Sequence, residues 1–405
     1  MNKSAPQARC CVVGSGTRFL SGISYYTIRL ANELAQRYPV SVVLMRNLLP
    51  ARLYPGKSRV GAPLTQQTYK SEVEVFDGVD WYWLPSILRA ITFLMRVKPD
   101  VIIFQWWTGT VLHSYLVLAW VARLIGAKIV IEFHEVLDTG EARLGWVRKY
   151  VNLFLPGLIR ISSGFVIHSQ FDHDILRKLY NLDDRPIAII HHGPFDQFNL
   201  SQSSPEFRQA PQESCNILYF GVIRPFKGLE DLITAFDAIP SDEIDQYWLT
   251  IVGEIWEGWQ LPVELIHRSR YRDHMTFIDR YVTDAEAAAI FASADAVALP
   301  YHRSSASGPL HIAMSCGLPV VVTRVGGLIE AVQHYQGALV VPPHDPAAIK
   351  LALRQAAALR GKRFSDPHSW ERNTELYADL FRAVLMDRKG SSGLDESDRT
   401  IHSET

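Results

Sequence analysis

Residues 216–228 read NILYFGVIRPFKG: an apolar, β-favouring run closing at Gly221, a loop carrying Arg224 and Lys227, then the helical stretch Leu229 to Ala238. A strand handing over to a helix through a short loop is one unit of a parallel sheet wound with helices. Downstream the unit recurs at Trp248–Val252, Met275–Ile278, Ala296–Leu299, Val320–Thr323 and Ala338–Val341. Upstream it recurs at Cys10–Val13, Val40–Met45, Val101–Phe104, Lys128–Phe133, Gly164–His168 and Ile187–Ile190. Such alternation predicts an α/β chain of two doubly wound, Rossmann-like domains facing each other across a cleft.

The divisions follow from composition. Residues 201–214 (SQSSPEFRQAPQES) are polar and irregular and read as a linker. They separate an N-terminal domain over 1–200 from a C-terminal domain over 215–365. A C-terminal helix is expected over 366–386, carried by the pattern Trp370 to Met386, and a disordered tail over 387–405, which is too polar to pack.

The chain has 405 residues, 48% of them hydrophobic and 11% aromatic, with 41 Lys and Arg against 42 Asp and Glu. These values suit large packed domains and exclude disorder, collagen and small disulfide scaffolds. The four cysteines, Cys10, Cys11, Cys215 and Cys316, form no CxxC pair, and no histidines stand at zinc-ligand spacing. Neither a metal site nor a disulfide framework is indicated, and a reducing cytoplasm fits best. The first thirty residues lack the parts of a secretory signal. The apolar stretch Val111 to Gly126 is interrupted by His113 and Arg123 and is shorter than the roughly 20 residues of a membrane span, so it reads as a buried helix. Residues 1–200 hold 22 basic and 15 acidic residues, and residues 1–71 ten basic residues and the single acid Glu33. The asymmetry points either to an anionic partner or to a solvated basic face; no nucleic-acid partner is expected.

Ligands of open α/β sheets bind beyond the carboxyl ends of the strands, so the loops there matter most. Arg224 and Lys227 in such a loop suit a diphosphate, or are solvated loop cations. Pro300 to Gly317 follows another strand; Ser307 has N-cap chemistry and Pro309 suits the first turn of a helix over Gly308 to Cys316. Its free N–H groups can hold an anion, although a plain capped helix explains the same residues. Glu330, in RVGGLIE, accepts bonds from ribose or sugar hydroxyls, or favours its own first helical turn. Gly14, Gly16 and Gly22 precede the first helical pattern without GxGxxG spacing, which disfavours NAD. His134 and Glu135 follow the strand Lys128 to Phe133 and should emerge opposite the second-domain loops.

Taken together, FGVIRPFKG, YVTDAEAAAIFASADAVALPY and SGPLHIAMSCGLPVVVTRVGGLIEAV resemble the C-terminal half of family 4 glycosyltransferases, which have the GT-B fold. The N-terminal pieces SGISYYTIRLANELAQRYPVSVVLM, IVIEFHE, GFVIHSQFDHDIL and HHG extend the likeness over most of the chain. The resemblance implies transfer of a sugar from a nucleotide-sugar donor to a glycan, glycolipid or lipid-linked acceptor, with retention, no metal and no cofactor. It implies that Lys227 and Arg224 neutralise the diphosphate, that Gly22 lies over it, that Ser307, Gly308 and Glu330 help hold the donor, and that His134 contacts the transferring sugar. The family's more usual arginine position is Val222. A pair of family glutamates is replaced by Ser304 and Ile312, which keeps a rival in view: an inactive GT-B-like scaffold that binds nucleotide or sugar. Two acid-free basic stretches, Ser86 to Lys98 and Arg143 to Arg160, resemble interfacial membrane helices, or are packed helices with snorkelling cations. The expected location is cytoplasmic, peripheral on the inner face of the cytoplasmic membrane if those helices are interfacial.

Overall fold

The computed structural model describes residues 7–16, 22–47, 67–80, 83–136, 145–196, 209–256 and 258–386. The first half runs β1 (Cys10–Ser15), α1 (Gly22–Leu34), β2 (Val40–Asn47), β3 (Glu74–Asp80), α2 (Leu84–Val97), β4 (Val101–Trp106), α3 (Leu112–Leu124), β5 (Lys128–Phe133), α4 (Gly145–Ile161), β6 (Gly164–Ile167), α5 (Gln170–Leu179) and β7 (Ile187–Ile189). The second runs β8 (Cys215–Phe220), α6 (Leu229–Asp237), β9 (Tyr247–Val252), α7 (Leu261–Arg268), β10 (Met275–Ile278), α8 (Asp284–Ser293), β11 (Ala296–Leu299), α9 (Gly308–Ser315), β12 (Val320–Thr323), α10 (Gly326–Ala331), β13 (Ala338–Val341) and α11 (Pro346–Ala358). It is followed by α12 (Trp370–Met386). Residues 201–208 of the expected linker and the whole expected tail 387–405 lie outside the described residues.

Two sheets result, ordered β3-β2-β1-β4-β5-β6-β7 and β10-β9-β8-β11-β12-β13. Every strand pair described is parallel. Their interior strands are apolar on both sides because helices cover both faces. On the first sheet, α2, α3 and α4 close one face over Phe104, Ile129, Ile131 and Phe133. The other face is closed by α1 and, from the far end of the chain, by α12 through Trp370, Tyr377, Leu380 and Phe381.

Two features depart from the expected pattern. The edge strand β3 (EVFDGVD) was not anticipated; its early residues are exposed and acidic, so it shows neither an apolar run nor clean alternation. The final helix runs Trp370–Met386 within the segment 366–386 and packs on the first sheet, where the Trp370 indole donates to the Pro194 carbonyl at 2.9 Å.

Candidate functional site

The strand order reverses between β1 and β4 and between β8 and β11, and each reversal opens a crevice at the carboxyl ends. Between β8 and α6 the chain makes a single 3-10 turn, Pro225–Lys227, and then turns through Gly228 at φ 64°. A β-carbon at Gly228 would lie 1.9 Å from the Pro300 carbonyl oxygen, so only glycine lets this loop pack against the segment leaving β11. That contact sets Lys227 beside Tyr301, its Nζ 3.6 Å from the ring centre, while the Arg224 guanidinium lies 4.4 Å over the Trp256 ring.

Burial pushes the Lys227 ammonium down from the ordinary 10.5 to about 7; Glu135 of the first half opposes the fall and Arg224 adds to it. Lys227 is thus poised between charge states, and an incoming anion would restore its charge. Glu135 acts on Lys227 from the opposite half, as the position of the His134–Glu135 loop led us to expect.

Ser307 is the N-cap of α9: its hydroxyl accepts the Leu310 N–H at 3.4 Å and donates to the Tyr301 hydroxyl at 3.3 Å. The side chain is therefore spent on the helix, leaving the main chain at Gly308 as the anion-directed part of this element. A β-carbon at Gly22 or at Gly308 would meet nothing within 4 Å. Ser304 is tied locally, its hydroxyl donating to the Ala306 carbonyl at 2.8 Å, and Ile312 is buried in the core behind α9.

Glu330 departs from both expected roles. It sits near the end of α10, not in its first turn, because that helix begins at Gly326. Its carboxylate accepts the main-chain N–H groups of Gln170 and Phe171, the first residues of α5, and so joins the two halves. Gly326, at φ 46°, lets α10 start against the loop after β11, since a β-carbon there would lie 2.0 Å from the Ser304 carbonyl oxygen, while a β-carbon on Gly327 would lie 3.2 Å from the Ser169 side chain of the first half.

His134 does follow β5, but its ring is buried. The His168 Nδ1–H donates to the Ile190 carbonyl at 2.7 Å, which leaves its Nε2 to accept the His134 Nδ1–H at 3.1 Å. The His134 Nε2 lies 3.8 Å from the Glu132 carboxylate and has no hydrogen-bond partner. Glu132 accepts from the Tyr377 hydroxyl and from the Gln105 amide at 3.1 Å. Burial raises Glu132 to about 7, against those hydrogen bonds. Burial also drives His134 well below the usual imidazole range, with His168 adding to the fall. His168 falls to about 4 for the same first reason, opposed by the Ile190 carbonyl. His192 continues the cluster, 4.2 Å from His168 between ring centres, and His311 of α9 lies 5.5 Å beyond it.

Sequence reasoning thus brought Lys227, Arg224, Ser307 and Gly308 to one end of the second sheet and missed Tyr301, Trp256, His168, His192 and His311. The available signal for His168 and His192 was position, since HSQ and HHG each stand at the end of an apolar strand run; His311, inside α9, had none.

Comparison with known proteins agrees with this architecture. Residues 20–194 match the family model Glycosyltransferase Family 4, and residues 202–376 match Glycosyl transferases group 1. The chain is 26% identical to a D-inositol 3-phosphate glycosyltransferase of Saccharomonospora viridis, over 93% of this chain and 92% of that one. Among solved structures it is similar to the catalytic domain of Starch Synthase IV from Arabidopsis thaliana bound to ADP and acarbose (TM-score 0.68, 14% identity, 94% of this chain and 100% of that one). It is also similar to Anabaena HepE in complex with UDP and glucose (TM-score 0.61, 20% identity, 93% and 100%). With both halves matched in order along one chain, and two parallel sheets in it, the protein belongs to the family 4 glycosyltransferases of GT-B fold, enzymes that transfer sugar from a nucleotide-sugar donor.

Proposed function

We propose that the donor diphosphate is held by Lys227, Arg224 and the amino end of α9 at Ser307 and Gly308, with Gly22 covering it from the first half. The observation that carries this reading is the position of Lys227, whose Nζ lies 3.6 Å from the Tyr301 ring centre at the carboxyl end of the sheet, with Arg224 in the same loop. Positive groups there stabilise the charge that develops on the diphosphate as the bond from the anomeric carbon to phosphate oxygen breaks. The acceptor hydroxyl attacks the same face, its proton passing to the departing phosphate oxygen, and the configuration is retained. His134 lies at the floor beneath the transferring sugar, a neutral imidazole able to meet a sugar hydroxyl once its ring turns from Glu132. Glu330 reaches a ribose only by releasing α5, so we assign it to the joint between the halves. No cofactor is assigned. The nucleotides in HepE and Starch Synthase IV support a nucleoside-diphosphate sugar, and the likeness to the Saccharomonospora viridis glycosyltransferase supports turnover rather than an inactive scaffold.

The acceptor we assign is a glycan or lipid-linked precursor, with the enzyme peripheral on the inner face of the cytoplasmic membrane. Helices α2, α3 and α4 contain no acidic residue and cover one face of the first sheet. They and the α2 N-cap expose Trp83, Leu84, Leu88, Trp120, Leu124 and Leu153 beside exposed Arg89, Arg123 and Arg148. Aromatic and aliphatic groups ringed by cations suit an anionic bilayer surface. Among the described residues no helix is long and apolar enough to cross a membrane.

Calorimetric titration with UDP, GDP, ADP and CMP tests the donor reading. One nucleoside diphosphate should bind selectively and direct a sugar-transfer assay; binding of none would overturn the assignment.

A further inference from the structure

Strands β5, β6 and β7 lie side by side and parallel, and a histidine follows each within three residues: His134, His168 and His192. We infer that these three rings form a site for one borderline transition-metal ion, with Zn2+ as its probe, beneath the cleft of the first half. One ring nitrogen from each lies within 4.8 Å of the others. A tetrahedral zinc site with Zn–N of ~2.1 Å places neighbouring nitrogens roughly 3.4 Å apart, and the His168 Nε2 and His134 Nδ1 are already 3.1 Å apart.

The surrounding groups orient the ligands. The Ile190 carbonyl takes the His168 Nδ1–H and so directs the Nε2 lone pair inward. The Nε2 atoms of His134 and His192 are buried without a hydrogen-bond partner, and the His134 side chain is 2% exposed. Coordination through the His134 Nδ1 transfers its proton to Nε2, which faces the Glu132 carboxylate at 3.8 Å. The same carboxyl group also lies 3.9 Å from the His168 Nε2. Tyr26 walls the cluster, its ring 4.8 Å from His134 and from His192 and 5.5 Å from His168. A second group, Asp231, His302 and His344, is partly exposed and already paired through His302 to Asp231 at 2.8 Å, so it carries no such inference.

No zinc-ligand spacing appears along the chain because the ligands come from three separate strand ends; His134 and His168 are 34 residues apart. Ion binding does not depend on how the donor is held. Its consequence does, and rests on the reading above: an ion that fixes His134 withdraws it from the sugar and slows transfer.

The test titrates chelator-treated full-length protein with Co2+, followed by its visible d–d absorption, and with Zn2+ by calorimetry. Wild type should bind one ion per chain, Zn2+ should displace Co2+, and His192→Gln should weaken binding at least tenfold while the metal-free melting curve shows a folded protein. His168→Gln provides the second variant, also checked by its melting curve. Absence of binding at ~100 μM metal, or equal affinity in folded His192→Gln, would overturn the site. Turnover with and without bound Zn2+ is read separately: unchanged turnover with the ion in place counts against the sugar role of His134 and leaves the ion site standing.

Discussion

The carboxylate of Glu330 accepts the main-chain N–H of Phe171 at 2.9 Å, so an acid of the second half caps a helix of the first. Replacing Glu330 with Ala leaves two N–H groups of α5 without that acceptor, at about 1 to 2 kcal/mol. The melting temperature should fall by several degrees while the nucleotide dissociation constant stays within about twofold. A tenfold weaker nucleotide with unchanged melting would return Glu330 to the ribose.

Lys227→Ala removes a charge-assisted contact to the diphosphate. The loss should be about 1.5 to 3 kcal/mol, or roughly 10- to 150-fold in dissociation constant. Calorimetry with the nucleotide that wild type selects reads the number directly; unchanged affinity would sink the assignment.

The depressed Lys227 has two consequences with pH. Because its pKa in the folded protein, about 7, is below the ordinary 10.5, the folded state binds fewer protons between those values and stability rises with pH across that window. Below pH 7 the penalty is fully present, so Lys227→Met should stabilise the free protein most at acid pH and least near pH 10. A bound diphosphate restores the charge, so nucleotide binding at pH 8 should take up close to one proton and at pH 6 almost none. Calorimetry in buffers of different ionisation enthalpy measures that uptake.

His134→Ala should reduce kcat by on the order of a hundredfold while nucleotide affinity changes little, since the proposed contact is to the sugar and strengthens in the transition state. Equal losses in both, with an altered melting curve, would show that the ring only supports its neighbours His168 and Tyr26.

Vesicles containing anionic lipid should carry the protein upward in a flotation gradient, and added salt should release it. Leu84→Ser with Trp120→Ser should abolish flotation, and replacing Arg89 and Arg148 should weaken it by about 1 kcal/mol for each cation. Flotation of both variants like wild type would remove the membrane from the reading.

Much of the fold was legible because strands buried on both faces appear as unbroken apolar runs. All six strands of the second sheet were found that way, and six of the seven in the first. The exception, β3, lies at an edge, where exposure permits Glu74 and Asp77 and erases the signal. Local positions were legible where the chemistry is local: Lys227 stands in the loop between its strand and helix, and Ser307 caps the helix that follows it. What escaped depends on distant partners. Glu330 finds its own 159 and 160 residues away, and nothing in RVGGLIE encodes the amino end of α5. The histidine cluster likewise exists only once three strands have been laid side by side.

The last helix has a temporal consequence. Trp370, Tyr377 and Phe381 complete a core whose other members come from the first residues made, among them Val12, Tyr26 and Val42. At roughly 5 to 20 residues per second, the ribosome needs on the order of 10 to 40 seconds after finishing β7 before that helix exists. During this time the first sheet has one face unsealed, and the second half can fold while the first is still waiting. Closure of the N-terminal half is therefore among the last steps of biogenesis, so a ribosome that stalls short of residue 370 releases a chain with an open apolar face.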